Sequence, residues 1–225
     1  MRRMLPLLVL SCLLAVQVRA DQLSIQFDFS GSSLSLLGGI VQIPPDGSIT
    51  SGGATLIVSA AGLATPIPGG AVSLYNFAAA ATVNALTFGN TITGNVVLNQ
   101  AGPPVAGTLS AGLANVLFGG PLHVAQNGVL NCAGPTCAIL SLPAALTGVQ
   151  SLVLGNMPIA NLAAIGNALI SGTFAITLAG FTGQLHLVGT EVSRVLVPEP
   201  GSAGLVALGL AGLAAWRGRR LLRTR

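Results

Sequence analysis

The sequence predicts an all-β body, an antiparallel β-sandwich or barrel, with an N-terminal signal helix and a short C-terminal transmembrane helix. Three observations support this. Apolar and polar residues alternate with a period of two where Leu23, Ile25, Phe27 and Phe29 interleave with Gln22, Ser24, Gln26 and Asp28, the pattern of a strand with one buried face. Proline- and glycine-rich punctuation breaks the chain into short segments. The chain is 52% hydrophobic, yet no internal stretch reaches the roughly 18 uninterrupted apolar residues of a spanning helix.

The chain opens with Met1-Arg2-Arg3, followed by an apolar stretch from Met4 to Val16 and then Val18-Arg19-Ala20 before Asp21. A positive start, a short apolar run and small residues before a cut describe a cleavable secretory signal. This assigns residues 1–20 to a signal peptide, with Ala20 and Asp21 flanking the cut, and names the secretion machinery and a signal peptidase as partners. An uncleaved anchor and lipoprotein processing at Cys12 are the alternatives.

Residues 21–197 form the body. After the first strand, candidate strands are Ile40–Ile43, Ala54–Ser59, Ala71–Phe77, Val83–Phe88, Ile92–Asn99 and Val105–Leu109. Pro44-Pro45-Asp46-Gly47, Thr65 to Gly70 and Gly102-Pro103-Pro104 serve as turns between them. Pro158–Ile170 reads as a short helix, with Ile159, Leu162, Ile165 and Leu169 on one face. Phe174, Ile176 and Leu178, then Leu185 and Leu187, resume the period of two, and Ala179 to Gly183 predicts a hairpin turn. Many short strands of this kind favour an antiparallel sandwich or barrel. No fixed repeat period supports a solenoid. The few aromatic residues, with the single Trp in the tail, do not supply the girdles of an outer-membrane barrel.

Residues 198–225 close the chain. Pro198-Glu199-Pro200 resists helix. Residues 201–216 are uncharged and reach about 24 Å as a helix, short of a bilayer core of about 30 Å. Arg217, Arg219, Arg220, Arg223 and Arg225 follow and would hold that end in the cytoplasm as a membrane stop. Ala203, Ala207, Ala211 and Ala215 recur every fourth residue, a spacing that lets another helix approach closely in lipid; a merely Ala-rich stretch is the alternative.

The order Pro-Glu-Pro, short apolar segment, Arg cluster resembles the PEP-CTERM sorting domain. That signal occurs on exported proteins of Gram-negative bacteria, often species that make exopolysaccharide. The resemblance implies processing by an exosortase, a membrane-embedded cysteine enzyme that cuts near Pro198, Glu199 and Pro200. The body would then pass from a transient membrane anchor to the cell envelope or the medium. The resemblance covers about 30 residues and says nothing direct about the body. An ordinary tail anchor behind a proline-rich stalk is the alternative.

The body holds four acids (Asp21, Asp28, Asp46, Glu191) and one base, Arg194. With no basic patch, nucleic-acid binding is not expected. Cys132 and Cys137 bracket Ala-Gly-Pro-Thr, and in an oxidising compartment this spacing predicts a disulfide. His123 and His186 are the only histidines, and no nucleophile elbow, P-loop, dinucleotide fingerprint or zinc-protease motif accompanies them. The expected protein is therefore non-catalytic, without metal or cofactor; a polar pocket joining His123 or His186 to Asp28 or Asp46 would instead point to a hydrolase. Two roles remain: a structural protein of an exopolysaccharide or biofilm matrix, or a carbohydrate-binding module recognising exopolysaccharide through neutral side chains.

Overall fold

The computed structural model describes residues 22–36, 47–61, 65–87, 89–197 and 209. The expected signal helix, the strand Ile40–Ile43 and the tail helix lie outside the described residues, apart from Gly209. Among the described residues there are fourteen strands, all antiparallel in their pairings. They are β1 (Gln22–Asp28), β2 (Ser33–Leu36), β3 (Gly47–Ala61), β4 (Thr65–Pro66), β5 (Ala71–Thr87), β6 (Asn90–Gln100) and β7 (Val105–Leu109), then β8 (Asn115–Phe118), β9 (Pro121–Ala133), β10 (Ala144–Leu146), β11 (Val149–Val153), β12 (Asn156–Ala160), β13 (Leu169–Leu178) and β14 (Phe181–Val197). Among these residues no helix is long and apolar enough to cross a membrane.

Pairing closes on itself. Following the ladders from β1 through β3, β5, β7, β8, β12, β13 and β14 returns to β1. The body is therefore a barrel in that half of its length. In the other half, β6 and β9 replace β7 and β8 alongside β5, and β2 joins β14 to β3.

The interior is apolar, and on β1 and β13 most outward positions are polar. On β1, Leu23, Ile25 and Phe27 are buried, while Gln22 and Gln26 are exposed. On β13, Phe174, Ile176 and Leu178 face in and Thr173, Ala175 and Thr177 face out. Phe29 and Phe77 meet at the centre, their rings 5.6 Å apart. Gly189 opposes this cluster because a side chain there would strike Phe29 and Ile170. The void left between Phe29, Leu74, Phe77, Met157 and Ile170 is about 10 Å³, the lower limit for one water. Among the described residues the centre of the barrel is packed around this small void.

Two expectations need correction. Residues 158–170 are not a helix: Met157 and Ile159 alternate inward on β12, a loop follows, and Ile159 pairs with Ile170 of β13. The apolar spacing that mimicked a helical face includes Ile165, which is 78% exposed. Asn161 and Gly166 have φ of 54° and 76°, outside the helical region. The segments Ala71–Phe77 and Val83–Phe88 are not separate strands, since β5 runs unbroken to Thr87. Its inward phase changes between Leu74 and Phe77, at a bulge where Asn76 has φ 53°. Gln100 stabilises the bulge, its Oε1 accepting from the Phe77 amide at 3.1 Å. The expected hairpin is present but tighter: Ala179 and Gly180 alone make the turn, both at positive φ, as two-residue hairpins require.

Candidate functional site

The residues with a functional address lie at the two chain ends of the body, and β1 and β14 bring those ends together. Gln22, the first described residue, pairs with Val197, the last residue of β14. Leu23 pairs with Leu196 and Ile25 with Arg194. Gln22 also pairs with Ser59 of β3 on its other side. Val197 directly precedes Pro198. Ala20, Asp21, Pro198, Glu199, Pro200 and the five tail arginines, Arg217, Arg219, Arg220, Arg223 and Arg225, lie outside the described residues.

Next to this end sits a charge clasp that the sequence did not announce. Glu191 and Arg194 form a two-point ion pair, with Arg194 Nε donating to Glu191 Oε1 and Nη2 to Oε2, each at 2.7 Å. Their side chains are 1% and 5% exposed respectively, although their backbones stay partly open. Arg194 also donates to the carbonyls of Leu162 and Ala164 at 3.0 and 3.1 Å. The Ala168 amide donates to Glu191 Oε2 at 2.9 Å. Together the pair holds loop 161–168 against β14. Burial pushes the Glu191 carboxyl pKa up. Hydrogen bonds from Arg194, Ala168 and Gly166 and the Arg194 charge outweigh that, so the pKa sits below its ordinary value. Two residues three apart on a regular strand point to opposite faces. Val192 is an extra residue in the β1–β14 ladder, and that bulge lets Glu191 and Arg194 meet.

At the far end of β5 a second fastening occurs. Cys132 and Cys137 form the expected disulfide, with Cα atoms 5.6 Å apart. Asn90, 1% exposed, accepts from the Thr136 amide at 3.0 Å and donates to the Thr136 hydroxyl.

Each histidine shares a hydrogen bond with a hydroxyl on the neighbouring strand. His123 Nδ1 shares a hydrogen bond of 3.0 Å with Ser151 Oγ, its cross-strand partner on β11. His186 Nδ1 does the same with Thr173 on β13. Both are exposed. Asp28 is engaged by Ser30, through its amide at 3.1 Å and its hydroxyl at 2.8 Å, and Asp46 lies outside the described residues. Among the described residues no cluster of three or more His, Cys, Asp or Glu side chains stands ready for a metal.

One surface groove is neutral and rich in hydrogen-bonding groups. It lies where β11 runs alongside β13 and is lined by Gln126, Thr147, Gln150, Ser151, Thr177 and neighbouring small residues.

These features define a barrel whose two ends emerge together. The PEP-CTERM protein-sorting motif matches residues 196–220 of the chain, so the match begins on the last two residues of β14. The chain carries a PEP-CTERM sorting domain, which marks it as an exported protein with a C-terminal membrane anchor and as an exosortase substrate. No curated protein and no solved structure matches the chain.

Proposed function

We propose that this protein is a non-catalytic component of the cell envelope or extracellular matrix, associated with exopolysaccharide or biofilm and delivered by an exosortase. The observation that carries the reading is the Gln22–Val197 pairing beside the sorting motif. Removing residues 1–20 and the tail near Pro198–Pro200 cuts the chain outside the ladder at both ends. The barrel is left whole, and anything joined to the new C-terminus projects from one end. The non-catalytic part is supported by the hydrogen bonds of His123, His186 and Asp28, each engaged by its own hydroxyl partner.

The test is processing in a host that contains an exosortase. The mature protein should begin at Asp21 and end near Pro198–Pro200 by mass spectrometry. Glu199→Ala should leave export intact and block release from the membrane. Deleting the Arg cluster should let the tail pass through, because the short apolar segment alone is a weak stop. Full-length C-terminal peptides persisting on the mature protein would overturn the reading in favour of a plain tail anchor.

The neutral groove between β11 and β13 favours a second reading, an exopolysaccharide-binding module. Its Thr147, Ser151 and Thr177 hydroxyls suit sugar hydroxyls, while its lining has no aromatic side chain to stack on a ring. Saturable binding of residues 21–197 on a glycan array would select this reading over the structural one.

A further inference from the structure

We propose that, while the tail is in place, the end of the barrel carrying Val197 rests on the bilayer surface through exposed apolar side chains. The inference rests on the sorting reading above, because it needs the tail in the membrane. Ile165, Val192 and Val195 are 78%, 66% and 60% exposed, and Leu196 and Ile67 are 46% and 39% exposed. Their placement follows from the ladders. Ile67 donates its amide to Ser59, Ser59 pairs with Gln22, and Gln22 pairs with Val197. On the other side of β14, Arg194 holds Ala164 and so fixes the loop that displays Ile165. Val195, Leu196 and Ile67 thus flank the point where the tail leaves, with Val192 and Ile165 farther back along β14.

The length of chain beyond that point limits what can cover them. Val197 is held in the β1 ladder. Only Pro198, Glu199 and Pro200 separate it from the uncharged segment that starts at Gly201. Four backbone steps span at most about 14 Å. The headgroup layer on each side of the hydrocarbon core takes up roughly 6 Å of this. Little is left, so the barrel end cannot stand clear of the lipid surface. An apolar segment shorter than the hydrocarbon core also draws its flanks inward rather than letting them rise.

Charge decides the kind of contact. Glu191 and Arg194 neutralise each other, and the nearest charges in sequence, Asp21 and Glu199, are acidic. The end offers anionic lipid no attraction. The contact is apolar and shallow, and salt should not dissolve it.

A tryptophan scan in phosphatidylcholine vesicles tests this. Trp216→Phe removes the only tryptophan. Ile165→Trp or Val195→Trp then places a reporter at the tail end. Ile139→Trp, at a position 80% exposed beside the disulfide, places one at the opposite end of β5. Brominated phosphatidylcholine should quench most of the emission at 165 and 195, leave 139 unquenched, and do so equally in high salt. An unquenched reporter at 165 and 195, or equal quenching at 139, overturns the proposal. The vesicles contain no exosortase, so this outcome is independent of processing. Failed tail removal in cells beside intact quenching would overturn the sorting reading alone. Protein that does not float with the vesicles would remove the membrane tail, and the proposal with it. Circular dichroism of each variant confirms that the barrel has folded.

Discussion

In the half of the barrel nearest the tail, eight strands pair in an unbroken ring, from β1 round to β14 and back. In the other half the ladder runs from β13 through β14, β2, β3, β5, β6 and β9 to β11. There it stops, and β11 lies beside β13 along a seam. Gln150 bridges the seam, its Oε1 accepting from the Thr177 amide at 3.1 Å. The two halves are fastened by different chemistry. The closed half carries the Glu191–Arg194 clasp, which holds a loop against a ring already complete. The seamed half carries the disulfide on β9, the strand from which the incomplete edge hangs. A covalent link is placed where backbone hydrogen bonding runs out.

The clasp offers the largest change. Arg194→Ala leaves Glu191 buried without its partner and frees the carbonyls of Leu162 and Ala164. Breaking a buried pair costs about 3–5 kcal/mol; the partly open backbone places this one near about 3 kcal/mol. Urea unfolding of the mature protein measures it. A loss no larger than that of an exposed surface pair, about 0–1 kcal/mol, would show that the ring does not depend on its clasp. Acid probes the same site. The Glu191 pKa is lower in the folded state than its ordinary 4.5, so its contribution is fully present above that value. It is lost as pH falls through the folded pKa. The stability difference between wild type and Glu191→Gln should therefore be flat above about pH 5 and shrink in more acidic solution. A difference that stayed constant into strong acid would contradict the assigned pairing.

In the seamed half, Cys132→Ser with Cys137→Ser should cost roughly 2 kcal/mol, the chain-entropy value for so small a loop. Hydrogen exchange should also quicken in β10 and β11 more than in β1 or β7. Equal quickening in both halves would mean that the disulfide acts on the whole barrel and not on its open side.

How much of this the sequence disclosed depends on whether alternation survived. β1 and the β13–β14 hairpin were legible because their apolar residues keep a period of two up to the turn. The disulfide was legible because two cysteines five apart in an exported chain have few other uses. The continuity of β5 was hidden by the bulge at Asn76, which shifts the inward phase by one residue. The clasp was hidden for a similar reason, since only the extra residue at Val192 brings Glu191 and Arg194 to one side. The 158–170 segment misled because an apolar spacing of three and four also arises when a strand end, a buried Leu162 and an exposed Ile165 happen to follow one another. The Gln22–Val197 pairing joins residues at opposite ends of the body, and no local pattern encodes a contact of that range.

The smallest expected effect concerns the seam itself. Gln150 lies on the same face of β11 as the fully buried Leu152, and Gln126 on the same face of β9 as the buried Val124. Gln150 Nε2 and Gln126 Oε1 are both buried without a protein partner. Gln150→Met therefore removes two opposing terms. It loses the hydrogen bond to Thr177, a net contribution of about 1 kcal/mol. It also removes an unsatisfied donor, whose burial costs about 1–3 kcal/mol. Global stability should change by no more than about 1 kcal/mol in either direction. Locally the terms do not cancel, because the Thr177 amide has lost its acceptor. Its hydrogen exchange should rise roughly tenfold, the equivalent of about 1.4 kcal/mol, while amides of β14 paired with β13 stay protected. Unchanged exchange at Thr177 would mean that the seam is held by something other than this side chain, and the contrast between a closed half and a bridged half would fail at its narrowest point.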